Sequence, residues 1–404
     1  MSSMASQQTR QGWHSVLVGG IATFMGAPLV EPTAAALRAA GARAAFVGMP
    51  FDSTTIARPG AQLGPRAVRD WSSHTLSYHG EYDLDIFEEL GVCDMGDVPV
   101  VPANAPKTVD RVADIMGEAI RAGALPVLCG GEHITTIGGS MAVDRHAPSG
   151  SYGLILVDTH LDTAPDVGGE TINHCCPITR AMELDAFDPT KCVIIGPHGA
   201  MNPKSEYAYV REAGVKVYHV SDVDRRGARA VAEEAVAIAS DGTDGVYFSF
   251  DVDSLDSSVC AGTCVPTMGG LTAREALTMV SVIGRCDLVA MDVCEVAPAY
   301  DNGESAMAAC QVVVDTLAAY ADAHRWVVTG AWHLLPVPGT GRLSQRVWPP
   351  QRYRTAFWWV AGRYARTSAP TSLPHSGSSR VPSHPHRSRP FSARTDCHVP
   401  APMR

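Results

Sequence analysis

Tyr152-Gly153-Leu154-Ile155-Leu156-Val157-Asp158-Thr159-His160-Leu161-Asp162 is the stretch that decides the architecture. Its first half is a short, unbroken apolar run, which fits a strand covered on both faces and therefore a parallel sheet. Its second half alternates acid, imidazole and acid. Successive side chains on a strand point to opposite sides, so Asp158, His160 and Asp162 can converge on one point at the carboxyl end of the strand. The carboxyl ends of parallel strands are where α/β sheets place their chemistry.

The same arrangement recurs on either side of this stretch. Upstream, Leu125–Cys129 runs into Gly130-Gly131-Glu132-His133. Downstream, Gly245–Phe250 runs into Asp251-Val252-Asp253, whose two acids also fall on one side. Four carboxylates (Asp158, Asp162, Asp251, Asp253) and two imidazoles (His133, His160) exceed what one ion needs. They suit two divalent cations that share bridging carboxylates.

Around these motifs strands alternate with helices. Ala44–Gly48, Val193–Gly196, Val215–Tyr218 and Leu288–Val293 read as further strands. Helical periodicity covers Val109–Ala122, Ile134–Val143, Ala228–Ile238, Ala273–Ile283 and Ala306–Ala321. This spacing predicts a three-layer α/β/α fold with a mostly parallel central sheet. The expected organisation is an N-terminal lead-in over 1–43, one catalytic domain over 44–325 and an extension over 326–404. The extension is rich in Arg, Pro and Ser, has Asp396 as its last acid, and is expected to be largely unstructured.

Composition removes several classes of function. The 404-residue chain is 46% apolar, enough for a sizeable core, and carries a formal charge of −10. No basic face is available to neutralise phosphates, so nucleic acid is not an expected partner. A small cationic substrate fits the charge better. No apolar run reaches the roughly 18 residues of a membrane span. Val16–Ala27 has glycine inside it and a single preceding Arg, a poor secretory signal. The 11 cysteines form no CxxC pairs, and several lie in strand-like runs, so a reducing cytoplasmic setting is expected.

Taken in order, the three motifs resemble those of the ureohydrolases, the family of arginases, agmatinases and guanidinobutyrases. The resemblance extends to Arg58-Pro59-Gly60 with Gly64-Pro65-Arg66, to Asp251–Asp256 with Ala261-Gly262-Thr263, and to Glu295-Val296-Ala297-Pro298. It implies one cation on His133, Asp158, Asp162 and Asp251, and a second on Asp158, His160, Asp251 and Asp253. The family's usual ion is manganese, two per subunit, with nickel as the alternative. The resemblance further implies hydrolysis of an agmatine-like guanidino compound to an amine and urea, through a hydroxide shared between the ions. Asp162 would hydrogen-bond that hydroxide, Glu295 would seat the guanidinium, and His174 would deliver the proton to the leaving amine. Family members assemble as trimers or hexamers, so a homo-oligomer is expected.

Departures from the family pattern fall in the expected pocket wall. They are Thr159, His174-Cys175-Cys176-Pro177, Ser257, Cys260-Ala261 and, more mildly, Glu132. Cys175 and Cys176 are read as packing residues. The loop Thr163–Glu170 carries two acids, Asp166 and Glu170, read either as attracting a distal ammonium or as solvated loop acids. Ser77–Tyr82 is a further candidate pocket segment, by analogy. Competing functions are hydrolysis of small guanidines, biguanides or guanidinobutanoate, and a non-catalytic subunit of a hetero-oligomer.

Overall fold

The computed structural model describes residues 22–325, together with the backbone of two short segments, 335–336 and 343–344. Eight strands form its central sheet: β1 (Ala44–Gly48), β2 (Cys93–Asp97), β3 (Leu125–Cys129), β4 (Tyr152–Val157), β5 (Phe187–Ile195), β6 (Lys216–Tyr218), β7 (Gly245–Asp251) and β8 (Leu288–Cys294). Their order across the sheet is β2-β1-β3-β8-β7-β4-β5-β6, and every pairing is parallel.

The alternation read from the sequence produces two cores. Ile155 and Val157 of β4 join Phe248, Phe250, Met291 and Val293 on one face of the sheet. Leu154 and Leu156 join Leu128 and Tyr247 on the other. The first face is covered by the helices Ala228–Ala239, Ala273–Ile283 and Glu304–Ala323, the second by Ala105–Ala122 and Ile134–His146. This is the expected three-layer α/β/α architecture. Among the described residues, no helix is long and apolar enough to cross a membrane.

Element ends follow local capping. Helix Ala273–Ile283 begins where predicted because Thr272 and Glu275 form a capping box, with Glu275 N donating to Thr272 Oγ1 at 3.2 Å. Helix Ala105–Ala122 starts earlier than its apolar periodicity suggested. Asn104 Oδ1 accepts from Lys107 N at 3.0 Å, and Pro106 sits in the first turn. Strand β2, with sequence Cys-Asp-Met-Gly-Asp, lies at the sheet edge and lacks the apolar pattern that marks central strands. The described part of the lead-in packs on the sheet: the rings of Phe24 and Phe46 stack 4.4 Å apart, and Leu37 is fully buried.

Within the C-terminal unit, Leu335 pairs with Ser344 and Pro336 with Leu343 in an antiparallel register. The expectation that 326–404 is unstructured otherwise lies outside the described residues.

One feature of the sheet order positions the site. Strands β3 and β4 follow one another in sequence but are separated in the sheet by β8 and β7. Such a switch opens a crevice at the carboxyl ends of the strands around it.

Candidate metal centre

All three motifs open into that crevice. His133 sits at the start of helix Ile134–His146, reached from β3 through Gly130-Gly131. Gly131 is required there, because a Cβ would lie 2.0 Å from Phe51 O. His133 Nδ1 lies 2.7 Å from Asp162 Oδ2, 3.2 Å from Asp158 Oδ2 and 3.3 Å from Asp251 Oδ2. His160 Nδ1 lies 3.2 Å from Asp253 Oδ2 and 3.4 Å from Asp158 Oδ1. Asp158 thus turns one oxygen towards each imidazole. His133 with Asp158 and Asp162, and His160 with Asp158 and Asp253, are two sets of donors each within 4.8 Å of one another.

The donors fit cations rather than one another. His133 Nδ1 and Asp158 Oδ2 are fully buried and 3.2 Å apart, yet neither makes a hydrogen bond. Buried polar atoms without partners are rare, and these two aim at shared space instead. Burial raises the Asp251 carboxyl far above its ordinary range, and Asp253 and Asp158 add to the rise. Burial likewise raises Asp162, with Asp158 second. It brings Asp253 to about 7, with Asp158 adding and His160 opposing. Burial also opposes ionisation of Asp158, but contacts with His133 and His160 outweigh it and hold that carboxyl low. An N/O donor set of this kind, crowded and short of positive charge, suits two divalent ions.

A pH dependence follows. Asp253 holds its proton more tightly folded, at about 7, than an ordinary aspartate near 4 does. Its contribution to stability is therefore complete below about pH 4 and lost as pH rises through about 7. In chelator, the melting temperature is expected to fall over that interval, while affinity for divalent cations rises. Differential scanning calorimetry with and without added cation checks this; a melting temperature that climbs over the interval contradicts it.

Glu295 and His174 meet beside the cluster. Glu295 Oε1 accepts from His133 N at 2.7 Å and lies 3.2 Å from His174 Nδ1, while Glu295 Oε2 is buried without a partner. Glu295 and Asp162 both have positive φ, 65° and 50°, a conformation that costs energy and concentrates at functional sites. Burial opposes charge on His174, but Cys175 and Glu295 raise it to about 11. Against this, Ile56 N donates to His174 Nε2 at 3.1 Å, which only an unprotonated nitrogen accepts. The Ile56 contact makes Nε2 the unprotonated nitrogen and leaves the ring neutral, with its proton on Nδ1.

Several supporting residues, Glu132 apart, were not singled out from the sequence. Glu132 Oε1 accepts from Thr54 Oγ1 at 2.7 Å, and Thr54 Oγ1 in turn accepts from His174 N at 3.2 Å. The Glu132 variation thus anchors the loop that holds His174. His133 Nε2 lies 3.2 Å from Ser249 Oγ, which donates to the fully buried Asp292 Oδ1 at 2.7 Å. Asp292 was detectable as an acid inside an otherwise apolar strand, a placement that is costly unless the acid is hydrogen-bonded. Asn202 Oδ1 accepts from Leu161 N at 2.8 Å, and Glu206 Oε2 from Thr163 N at 3.1 Å.

The departures from the family pattern resolve differently. Thr159 is no pocket-wall residue: fully buried, it donates from Oγ1 to Asp253 O at 2.7 Å and ties the second motif to the third. Cys176 packs, as expected, and Cys260 is buried with Sγ donating to Ser305 Oγ at 2.9 Å. Cys175 departs from the packing expectation, since its thiol contacts the His174 ring and it stays partly exposed. Asp166 and Glu170 are exposed on a loop excursion, with Asp166 Oδ1 accepting from Gly169 N at 2.8 Å. Among the described residues, no hydrogen bond or ion pair joins either to the cluster. Tyr78–His79 pairs with Leu84–Asp85, and His79 Nε2 lies 3.2 Å from Asp315 on the last helix, so this segment is tied there.

Comparison with known proteins agrees with this geometry. The family model described as "Arginase family" matches residues 42–319. The chain belongs to the arginase family. Two relatives are the guanidinopropionase of Pseudomonas aeruginosa and the mitochondrial agmatinase of Gallus gallus. The first is 34% identical over 285 residues, covering 70% of this chain and 86% of the relative. The second is 33% identical over 281 residues, covering 69% and 81%. Among solved structures, the proclavaminate amidino hydrolase of Streptomyces clavuligerus superposes with a TM-score of 0.68 at 28% identity. That match covers 76% of this chain and 99% of the other. As an arginase-family member with relatives of this kind, the chain is a hydrolase.

Proposed function

We propose that the chain hydrolyses a small, agmatine-like guanidino compound to urea and the corresponding amine. The observation that carries this is the buried convergence of His133, Asp158, His160, Asp162, Asp251 and Asp253 beside the Glu295–His174 pair. When bound, two divalent cations supply hydroxide at neutral pH and polarise the carbon under attack. Manganese suits the hard oxygen and imidazole donors, with nickel as the alternative.

The chain's own groups do the rest. The unpartnered Glu295 Oε2 is an acceptor for guanidinium N–H groups, a charge-assisted contact that fixes the orientation of the planar carbon. The His133 backbone N–H holds Glu295 in place through Oε1. A guanidinium seated on Glu295 lies beside the Nδ1–H of His174, which donates to Glu295 Oε1 and orients it. The Ile56 N–H fixes this tautomer by occupying Nε2. The departing amine takes the proton of the attacking hydroxide's own O–H, and His174 carries that proton only as the imidazolium, with Nε2 released from Ile56.

A guanidino acid is the second reading of the substrate. Both exposed loop acids, Asp166 and Glu170, would attract the distal ammonium of an agmatine-like substrate. A guanidino acid offers them none, so this reading rests on the relatives rather than on that loop. Guanidinopropionase is among the relatives. The test is urea release by protein loaded with manganese or nickel, using agmatine, arginine, 3-guanidinopropanoate, 4-guanidinobutanoate, guanidine and metformin. Agmatine is expected to lead with manganese. Preference for the two acids moves the assignment to the second reading; no urea from any of the six, with cations bound, refutes both.

A further inference from the structure

The two halves of the cluster differ in a donor that the ligand set above leaves unused. Asp158, His160 and Asp253 offer only nitrogen and oxygen. The His133 half also has sulfur. Cys294 ends β8, pairs in register with Asp251 and is fully buried. Its Sγ lies 3.5 Å from Asp251 Oδ2, the oxygen that is itself 3.3 Å from His133 Nδ1. His133, Asp292 and Cys294 present donor atoms within 4.8 Å of one another, and the buried His133 Nδ1 has no hydrogen-bond partner.

We propose that Cys294 is a sulfur donor to the cation held by His133, so that this half of the centre favours a thiophilic divalent ion. The other half, around His160, takes a hard ion. The proposal rests on reading the cluster as a two-cation centre. A thiolate ranks zinc, cadmium, cobalt and nickel above manganese, whereas carboxylates and imidazole discriminate less. Ligation replaces the S–H bond by a sulfur–metal bond, and the thiol proton leaves to buffer. The family-like pairing of two identical ions is then one loading state of an asymmetric centre.

The test uses the full chain, stripped with chelator and titrated with cadmium and separately with manganese. Three quantities are read: near-ultraviolet sulfur-to-cadmium charge-transfer absorbance, protons released, and ions bound per chain. Cys294→Val and Cys294→Ser are compared with the wild type, the serine variant being nearly isosteric and guarding against a folding defect. A band saturating at one cadmium per chain is expected in the wild type and in neither variant, with one proton fewer released by each variant. Cadmium affinity is expected to drop by about tenfold or more in the variants, and manganese affinity to change by less than about twofold. Cadmium bound by the wild type without the band overturns the proposal, as does a band of equal strength in both variants. Binding of no cation of either kind refutes instead the two-cation reading on which it rests.

Discussion

Asp253→Ala is expected to leave one cation per chain and to lower turnover by roughly a thousandfold. Asp253 Oδ2 faces His160 Nδ1 at 3.2 Å and is the one carboxylate of that half not shared with the His133 half. Its removal leaves His160 and two bridging acids, too few donors to hold a second ion firmly. The fold should survive, because besides the His160 contact the variant loses only the long one from Thr159 N to Asp253 Oδ1, at 3.4 Å, and keeps the shorter ones made by the Asp253 backbone. Asp253 O still accepts from Thr159 Oγ1, and Asp253 N still donates to Asp251 Oδ1 at 2.7 Å. In chelator the variant should melt no lower than the wild type, since one of several crowded buried carboxylates is gone. Ion counting by atomic emission, urea release and calorimetry read the three effects. Two ions and undiminished turnover would remove the assignment of the centre.

Glu295→Gln is expected to lower kcat/KM by about a hundredfold while both cations stay bound. That is near the upper end of what one hydrogen bond to a charged group contributes. Glutamine can still accept from His133 N, so the loop is kept, but the buried Oε2 that faces no partner loses its negative charge. The substitution should also leave a trace in the pH profile. Glu295 is one of the groups that raise His174, so without its charge the His174 ring titrates lower. An unchanged profile with unchanged turnover would separate Glu295 from substrate binding. Loss of a cation would instead make it part of the metal centre.

The ligands were legible because each motif is contiguous and sits directly after an apolar run. The acid–imidazole–acid pattern pointed to Asp158, His160 and Asp162, and the paired acids to Asp251 and Asp253, but not through strand alternation as expected. Strand β4 ends at Val157 and β7 at Asp251. Asp162 sits at positive φ in the loop beyond, and Asp253 lies in a 3-10 turn, so loop geometry brings them together. The supporting residues did not declare themselves. Thr54, Asn202 and Glu206 read as ordinary loop or helix residues, and their roles come from partners far along the chain. Thr54 meets Glu132 across 78 positions, and Asn202 meets Leu161 across 41. Thr159 looked like a change in the pocket because the sequence shows its position in a motif but not the carbonyl of Asp253 above it. Asp166 and Glu170 illustrate the converse: charge near a motif in sequence placed neither acid in the cluster.

Local patterning therefore determined seven of the eight sheet strands, their parallel arrangement and the chemistry at their ends; edge strand β2 carries no such pattern. Unbroken apolar runs, buried on both faces, and capping act over a few residues and are written directly in the chain. Strand order was decided only in the tertiary structure, because it depends on which helices cover which face and on crossovers spanning many residues. Inserting β8 and β7 between β3 and β4 is what opens the crevice and brings Glu295 to His174 across 121 positions. It also places Cys294 beside Asp251, a contact across 43 positions that no local pattern encodes.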